Sequence, residues 1–238
     1  MDNPFIIGII DNSGDTGIDM MRKLIIALRM RNGVSQPSFV LESDVRMAHA
    51  SQKLTDEGEN IKEKLWEYMG TLIFKFLFVH KVDVFCISCN TLHIFQDRIV
   101  DLLDKYQIPR TKFVSFVDVV TEHIKTNKLT RVGLVGSLIT TDLETNSLSP
   151  FQCLTKLQNV QIVVSQRNEF QDIITEVKKN GYSTYISNKF RRLLNNIDAP
   201  IYLACTEFSL LGKFPRTIDV TDLVVDKMVE RIVRIGIR

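Results

Sequence analysis

Short, β-rich apolar runs alternate along this chain with longer amphipathic stretches. Residues 5–10, 82–88, 112–117, 131–136, 160–165 and 200–204 each have the length and composition of a buried strand. Helical spacing follows them. Ile18, Met21, Leu24, Ile25 and Leu28 recur at three and four residues after the first run, Ile173, Ile174 and Val177 do so after the fifth, and residues 223–233 repeat the pattern at the end. Strands separated by such helices pair in parallel through right-handed crossovers, so the pattern predicts an α/β protein with open, doubly wound, mostly parallel sheets. Ligands of such sheets bind at the carboxyl ends of the strands.

One feature repeats. A strand ending in cysteine and then polar residues occurs in Phe85-Cys-Ile-Ser-Cys-Asn-Thr91 and again in Ile201-Tyr-Leu-Ala-Cys-Thr-Glu207. This echo predicts two similar α/β lobes. Residues 1–113 form the first lobe, carrying Cys89, and 114–208 the second, ending at Cys205. The C-terminal segment 209–238, read as a helix, is expected to return to the first lobe.

Composition narrows the function classes. The 238 residues are 45% hydrophobic and 24% charged, the range of a globular chain rather than a disordered one. Thirty Lys and Arg against 28 Asp and Glu leave a formal charge of +2, no footprint for nucleic acid or an anionic membrane. The apolar run at 72–79 is interrupted by Lys75 and is far short of the ~20 residues of a membrane span. The first ten residues lack a basic leader and a small-residue cleavage site and read as a strand, which predicts a cytoplasmic protein with free thiols.

The two echoed cysteines are the candidate chemistry. Each ends a strand and precedes a polar segment, where a helix N-terminus would favour thiolate over thiol and lower a pKa of ~8.5 toward neutrality. A thiolate and a thiol from facing lobes would remove a proton from one face of a substrate carbon and supply one to the other, inverting it. Cys86 and Cys153 read instead as small buried hydrophobes. Cys86 and Cys89 also make a Cys-x-x-Cys, a zinc half-site or redox pair in a rival reading, but no second such pair exists.

Cys89-Asn90-Thr91-Leu92-His93 and Cys205-Thr206-Glu207-Phe208 resemble the two signature segments of the aspartate/glutamate racemase family. The opening strand Ile6-Ile7-Gly8-Ile9-Ile10, the strand Val132-Gly133-Leu134-Val135-Gly136 and the late Ile218-Asp219 fall where that family has counterparts, and His93 and Glu207 point to its aspartate-racemase side. The resemblance implies two pseudosymmetric lobes with an active-site cleft between them, and racemisation of an acidic amino acid, aspartate first and glutamate second, without pyridoxal phosphate or metal, in a homodimer. It makes Cys89 and Cys205 the acid/base thiols and Asn90, Thr91 and Thr206 the holders of the substrate's carboxylate and amino groups. Ser137 and Thr140 would present hydroxyls, Lys179 and Arg46 would supply charge for the distal carboxylate, and His93 and Glu207 would support the thiols. Asp11 resembles the acidic residue that assists a catalytic thiol in glutamate racemases, and would do so here for Cys89. Two departures stand out: Asp11-Asn12-Ser13-Gly14 replaces a Gly-Gly pair, and Ile139 replaces a glycine before Thr140. They motivate the alternative of an acidic-metabolite binding protein that kept the cleft without turnover.

Overall fold

The computed structural model describes residues 5–12, 14–31 and 37–236. The first lobe runs β1 (Ile6–Asp11), α1 (Asp15–Arg29), β2 (Ser38–Ser43), α2 (Ala50–Glu57), α3 (Glu59–Phe74), β3 (Val84–Ile87), α4 (Gln96–Lys105) and β4 (Phe113–Val114). Then come α5 (Phe116–Thr126), β5 (Arg131–Gly136), β6 (Gln161–Val163), α6 (Arg167–Asn180), α7 (Thr184–Leu194), β7 (Ile201–Ala204), β8 (Thr217–Asp219) and α8 (Val220–Gly236).

The strands form two four-stranded sheets, ordered β2-β1-β3-β4 and β6-β5-β7-β8, with every pairing parallel. The second order repeats the first, which gives the echo in the sequence its structural meaning. In each sheet the chain moves outward on one side of its first strand and then returns to the other side. The reversal leaves a crevice at the carboxyl ends of β1 and β3, and another at those of β5 and β7.

Three apolar clusters hold these layers. Helices α1, α5 and α8 pack between the sheets, where Met20, Leu24, Val120, Val224 and Met228 meet Ile7 and Ile9 of the first sheet and Val132 and Tyr202 of the second. Helices α2, α3 and α4 cover the outer face of the first sheet, and α6 and α7 that of the second. Each fully buried Leu, Ile or Phe in these clusters contributes about 1.5–3 kcal/mol. Gly8 in β1 is required by packing: a Cβ there would sit 2.5 Å from the ring of the fully buried Phe76.

Two strands lie outside the predicted runs. β2 and β8 are sheet edges, and their partly exposed positions break the continuous apolar signal of a central strand. The run at 112–117 yields only two strand residues, because Ser115 Oγ accepts hydrogen bonds from the backbone N–H groups of Val117 and Asp118 and so starts α5. The segment from residue 209 does two things. Its β8 pairs with β7 in the second sheet, while α8 packs on α1 and α5 and touches strands of both sheets. Among the described residues, no helix is long and apolar enough to cross a membrane.

Candidate active site

The two crevices open into one cavity of about 270 Å³. Cys89 enters it from the segment after β3, just before a 3-10 turn at Thr91–Phe95, and Cys205 enters directly after β7, capping a second 3-10 turn at Thr206–Leu211. Asn12 follows β1 and Ser137 follows β5, so all four switch-point strands deliver a side chain to the same space. Gly136 makes this approach possible in the second lobe. A Cβ there would clash with the Thr140 hydroxyl and lie 2.7 Å from the carbonyl oxygen of Ala204.

The sulfurs have opposite surroundings. Cys89 Sγ accepts a hydrogen bond from Asn12 Nδ2 at 3.4 Å, and the Leu92 backbone N–H also stabilises its thiolate. Cys205 Sγ instead donates to Glu207 Oε2 at 2.8 Å. Glu207 is itself buried, and its other oxygen is 2.9 Å from Lys178 Nζ, a side chain only 24% exposed.

Burial dominates both thiols. It pushes Cys89 up to about 11 and Cys205 well above the usual thiol range, the latter with further opposition from the Glu207 charge. The expected lowering toward neutrality is therefore corrected. Each cysteine precedes a single short 3-10 turn, whose few aligned dipoles do not offset desolvation. Burial also opposes ionisation of Glu207, but the Lys178 charge and the Cys205 hydrogen bond outweigh it and hold the carboxyl below its ordinary value.

Eight of the sequence-selected residues line the cavity: Cys89, Asn90, Thr91, Ser137, Lys179, Cys205, Thr206 and Glu207. Asn90 is 3% exposed, yet among the described residues neither its amide oxygen nor its amide nitrogen has a hydrogen-bond partner. A buried polar group without a partner costs on the order of 1–3 kcal/mol, and this one borders the cavity. Ser137 reaches the cavity edge, whereas Thr140 lies behind it, its hydroxyl donating to the Ser137 carbonyl at 3.0 Å.

Besides Thr140, three of the sequence-selected residues do not line the cavity. Asp11 is fully buried beneath the site, where it accepts hydrogen bonds from Thr16 Oγ1 at 2.8 Å, from Ser88 Oγ and from the Gly14 backbone N–H. It ties β1 to β3 and to the start of α1, and its neighbour Asn12 is the residue that reaches the Cys89 sulfur; Ser13 lies outside the described residues. Arg46 is exposed, paired with Asp44 at 2.6 Å and lying 4.2 Å over the Tyr68 ring rather than lining the cavity. His93 is buried behind the turn, stacked on Phe113 and Phe116, with Nδ1 bonded to the Cys89 carbonyl oxygen at 2.9 Å. Burial lowers its pKa to about 4, so it is a neutral imidazole that donates to that carbonyl.

The other two cysteines stand apart. Cys86 is fully buried, with its sulfur 3.0 Å from Met20 Sδ, and Cys153 is exposed rather than buried as expected. Among the described residues, no group of three or more His, Cys, Asp or Glu is arranged to hold a metal ion.

The cavity also contains residues that the sequence reading passed over: Asn12, His49, Gln52, Gln171, Thr175 and Lys178. A signal existed on α6, because Gln171, Ile174, Thr175 and Lys178 recur at three- and four-residue steps along one helix face. His49 and Gln52 carry no such mark. The positive φ of His49 turns the chain into α2, and tertiary packing brings that turn to the cleft.

Solved structures share this architecture. An aspartate racemase from Picrophilus torridus superposes with a TM-score of 0.69 at 17% identity, covering 98% of this chain and 94% of that one. An aspartate racemase homologue from Pyrococcus horikoshii gives 0.66 at 19%, covering 98% and 99%, and a glutamate racemase from Bacillus anthracis gives 0.66 at 17%, covering 98% and 83%. The chain thus has the fold of the aspartate/glutamate racemases. No protein-family model and no curated sequence matches it.

Proposed function

We propose that this protein is an amino-acid racemase that uses Cys89 and Cys205 as its two acid/base groups, with aspartate as the first substrate and glutamate as the second. The observation that carries this reading is the arrival of two cysteines, from equivalent positions in two repeated sheets, in a single cavity whose buried Asn90 amide has no partner among the described residues.

An amino acid entering this cavity brings its own ammonium charge. Close to the sulfurs, that charge favours a thiolate that burial otherwise suppresses. The thiolate takes the α-proton, and the opposite thiol delivers a proton to the other face. Asn90, Thr91, Thr206 and Ser137 supply neutral donors for the α-carboxylate, on which the negative charge develops as the proton leaves. Lys179 lines the cavity without an ion pair among the described residues, and it is the cation assigned to the distal carboxylate.

Proton NMR of L-aspartate, D-aspartate and L-glutamate in deuterium oxide tests the proposal, with chiral analysis of the products. Loss of the α-proton signal together with appearance of the opposite enantiomer is the expected outcome. Saturable binding with no exchange for any of the three amino acids would instead favour the non-catalytic binder.

A further inference from the structure

Gln171 lines the cavity from α6 and has no part in the two-thiol mechanism as described. A glutamine amide carries an acceptor oxygen and a donor nitrogen on one carbon, so its chemistry toward a ligand depends on which of the two is free. Here the loop after β5 decides. The Leu138 backbone N–H donates to Gln171 Oε1 at 3.1 Å, while Gln171 Nε2 donates to Thr175 Oγ1, one turn further along α6, at 3.4 Å. We propose that Gln171 is a substrate-binding residue that presents an N–H to the α-carboxylate beside Ser137, with the direction of its amide set by Leu138. This assignment rests on the reading of the cavity as the site of an acidic amino acid.

The direction follows from a group that has no choice. A backbone N–H can only donate, so the reverse orientation would set Nε2 against it, donor to donor, and leave the Leu138 N–H without this acceptor. Thr175 agrees with that direction, because its hydroxyl donates to the Gln171 carbonyl at 2.9 Å and is therefore an acceptor toward Nε2. One N–H of Gln171 is thus used within α6, and the other has no acceptor among the described residues.

The loop that sets the amide is itself gripped by α6. Arg167 donates from Nη2 to the Leu138 carbonyl at 2.7 Å and from Nε to Thr141 Oγ1 at 3.2 Å, so one helix holds both backbone polar groups of Leu138. Ser137 precedes Leu138 and lines the same cavity, which places its hydroxyl and the Gln171 amide at one edge of it. Two donors at one edge suit the two oxygens of a carboxylate. Glu207 is the one acidic side chain among those lining this cavity, and it is paired with Lys178.

The test uses two variants whose order of damage depends on the role. Gln171→Glu keeps an acceptor for the Leu138 N–H but sets a negative charge against the substrate, whereas Gln171→Met loses the hydrogen bonds without adding charge. Titration calorimetry with racemic aspartate, which shows no net turnover, should give a Kd raised about tenfold in Gln171→Met and about a hundredfold or more in Gln171→Glu at neutral pH. If Gln171 only tied down the loop, the order would reverse, with Gln171→Glu close to wild type, and that result would overturn the proposal. A second readout uses the wild-type fold: the side-chain amide signals of Gln171 in a 1H–15N spectrum, assigned by their loss in Gln171→Met. They should move on titration with aspartate, glutamate or succinate, the last a dicarboxylate without a stereocentre. Signals that move with none of the three overturn the assignment, whether or not the protein racemises. Signals that move in a protein without racemase activity would count against the two-thiol reading and leave the assignment of Gln171 standing.

Discussion

Asn12 and Cys89, 77 residues apart in sequence, meet at the carboxyl edge of the first sheet, where Asn12 Nδ2 donates to Cys89 Sγ at 3.4 Å. The same amide donates to the Met47 carbonyl at 3.3 Å, which fixes its direction. Replacing Asn12 with Leu removes a donor that favours the thiolate. The expected result is alkylation of Cys89 slowed about tenfold at a given pH, the effect of one pKa unit. Site-resolved mass spectrometry after timed iodoacetamide exposure reads this, and an unchanged Cys89 rate would assign Asn12 a packing role only.

Cys89→Ser and Cys205→Ser should each lower racemisation by at least about 10²–10⁴-fold, because a serine hydroxyl is a far weaker acid than a thiol. Thermal melting should place both variants close to wild type, since a hydroxyl replaces a sulfur at nearly constant shape. Retained turnover within tenfold in either variant would remove that cysteine from the mechanism.

His93 links the site to acid stability. Burial holds its folded-state pKa near 4, below the usual 6.5, so the unfolded chain binds a proton at pH values where the folded protein does not. Its contribution is complete above pH 6.5 and is lost progressively as pH falls toward 4, for a total on the order of 3 kcal/mol. Urea unfolding at pH 7 and pH 4 should show wild type losing more stability on acidification than His93→Leu does. Equal losses in the two proteins would mean that the imidazole titrates normally.

Asp11 is expected to matter for stability more than for chemistry. Asp11→Ala removes the acceptor of the Gly14 N–H and leaves the Thr16 and Ser88 hydroxyls only their longer bonds to the Ser88 and Ile10 carbonyls, at a cost of about 1–3 kcal/mol in chemical denaturation. The activity of the folded fraction should change less than tenfold, because the carboxylate does not line the cavity. A loss of activity as deep as that of the cysteine variants, with stability unchanged, would return Asp11 to the role of a group supporting Cys89.

Much of the architecture was written in local pattern. The central strands β1, β3, β5 and β7 are continuous apolar runs because both faces of a parallel sheet are covered by helices. The Cys-Asn-Thr and Cys-Thr-Glu segments end two of these strands, so their places at the cleft follow from chain order once the sheets are doubly wound. The edge strands β2 and β8 escaped the pattern because half-exposed edges carry mixed residues.

The site's electrical character, by contrast, belongs to tertiary structure. Lys178 and Lys179 are neighbours in sequence, but 100° of helical rotation separates their directions; both border the cavity, where Lys178 pairs with Glu207 and Lys179 has no ion pair among the described residues. Arg46 carries the charge expected of a substrate ligand, yet Asp44 and Tyr68 hold it away from the cavity. Which strands are central, and where two cysteines end them, follow from hydrophobic period and chain order alone. Which sulfur meets a donor and which a carboxylate depends instead on packing, because desolvation and hydrogen bonding are set by distances between segments far apart in the chain.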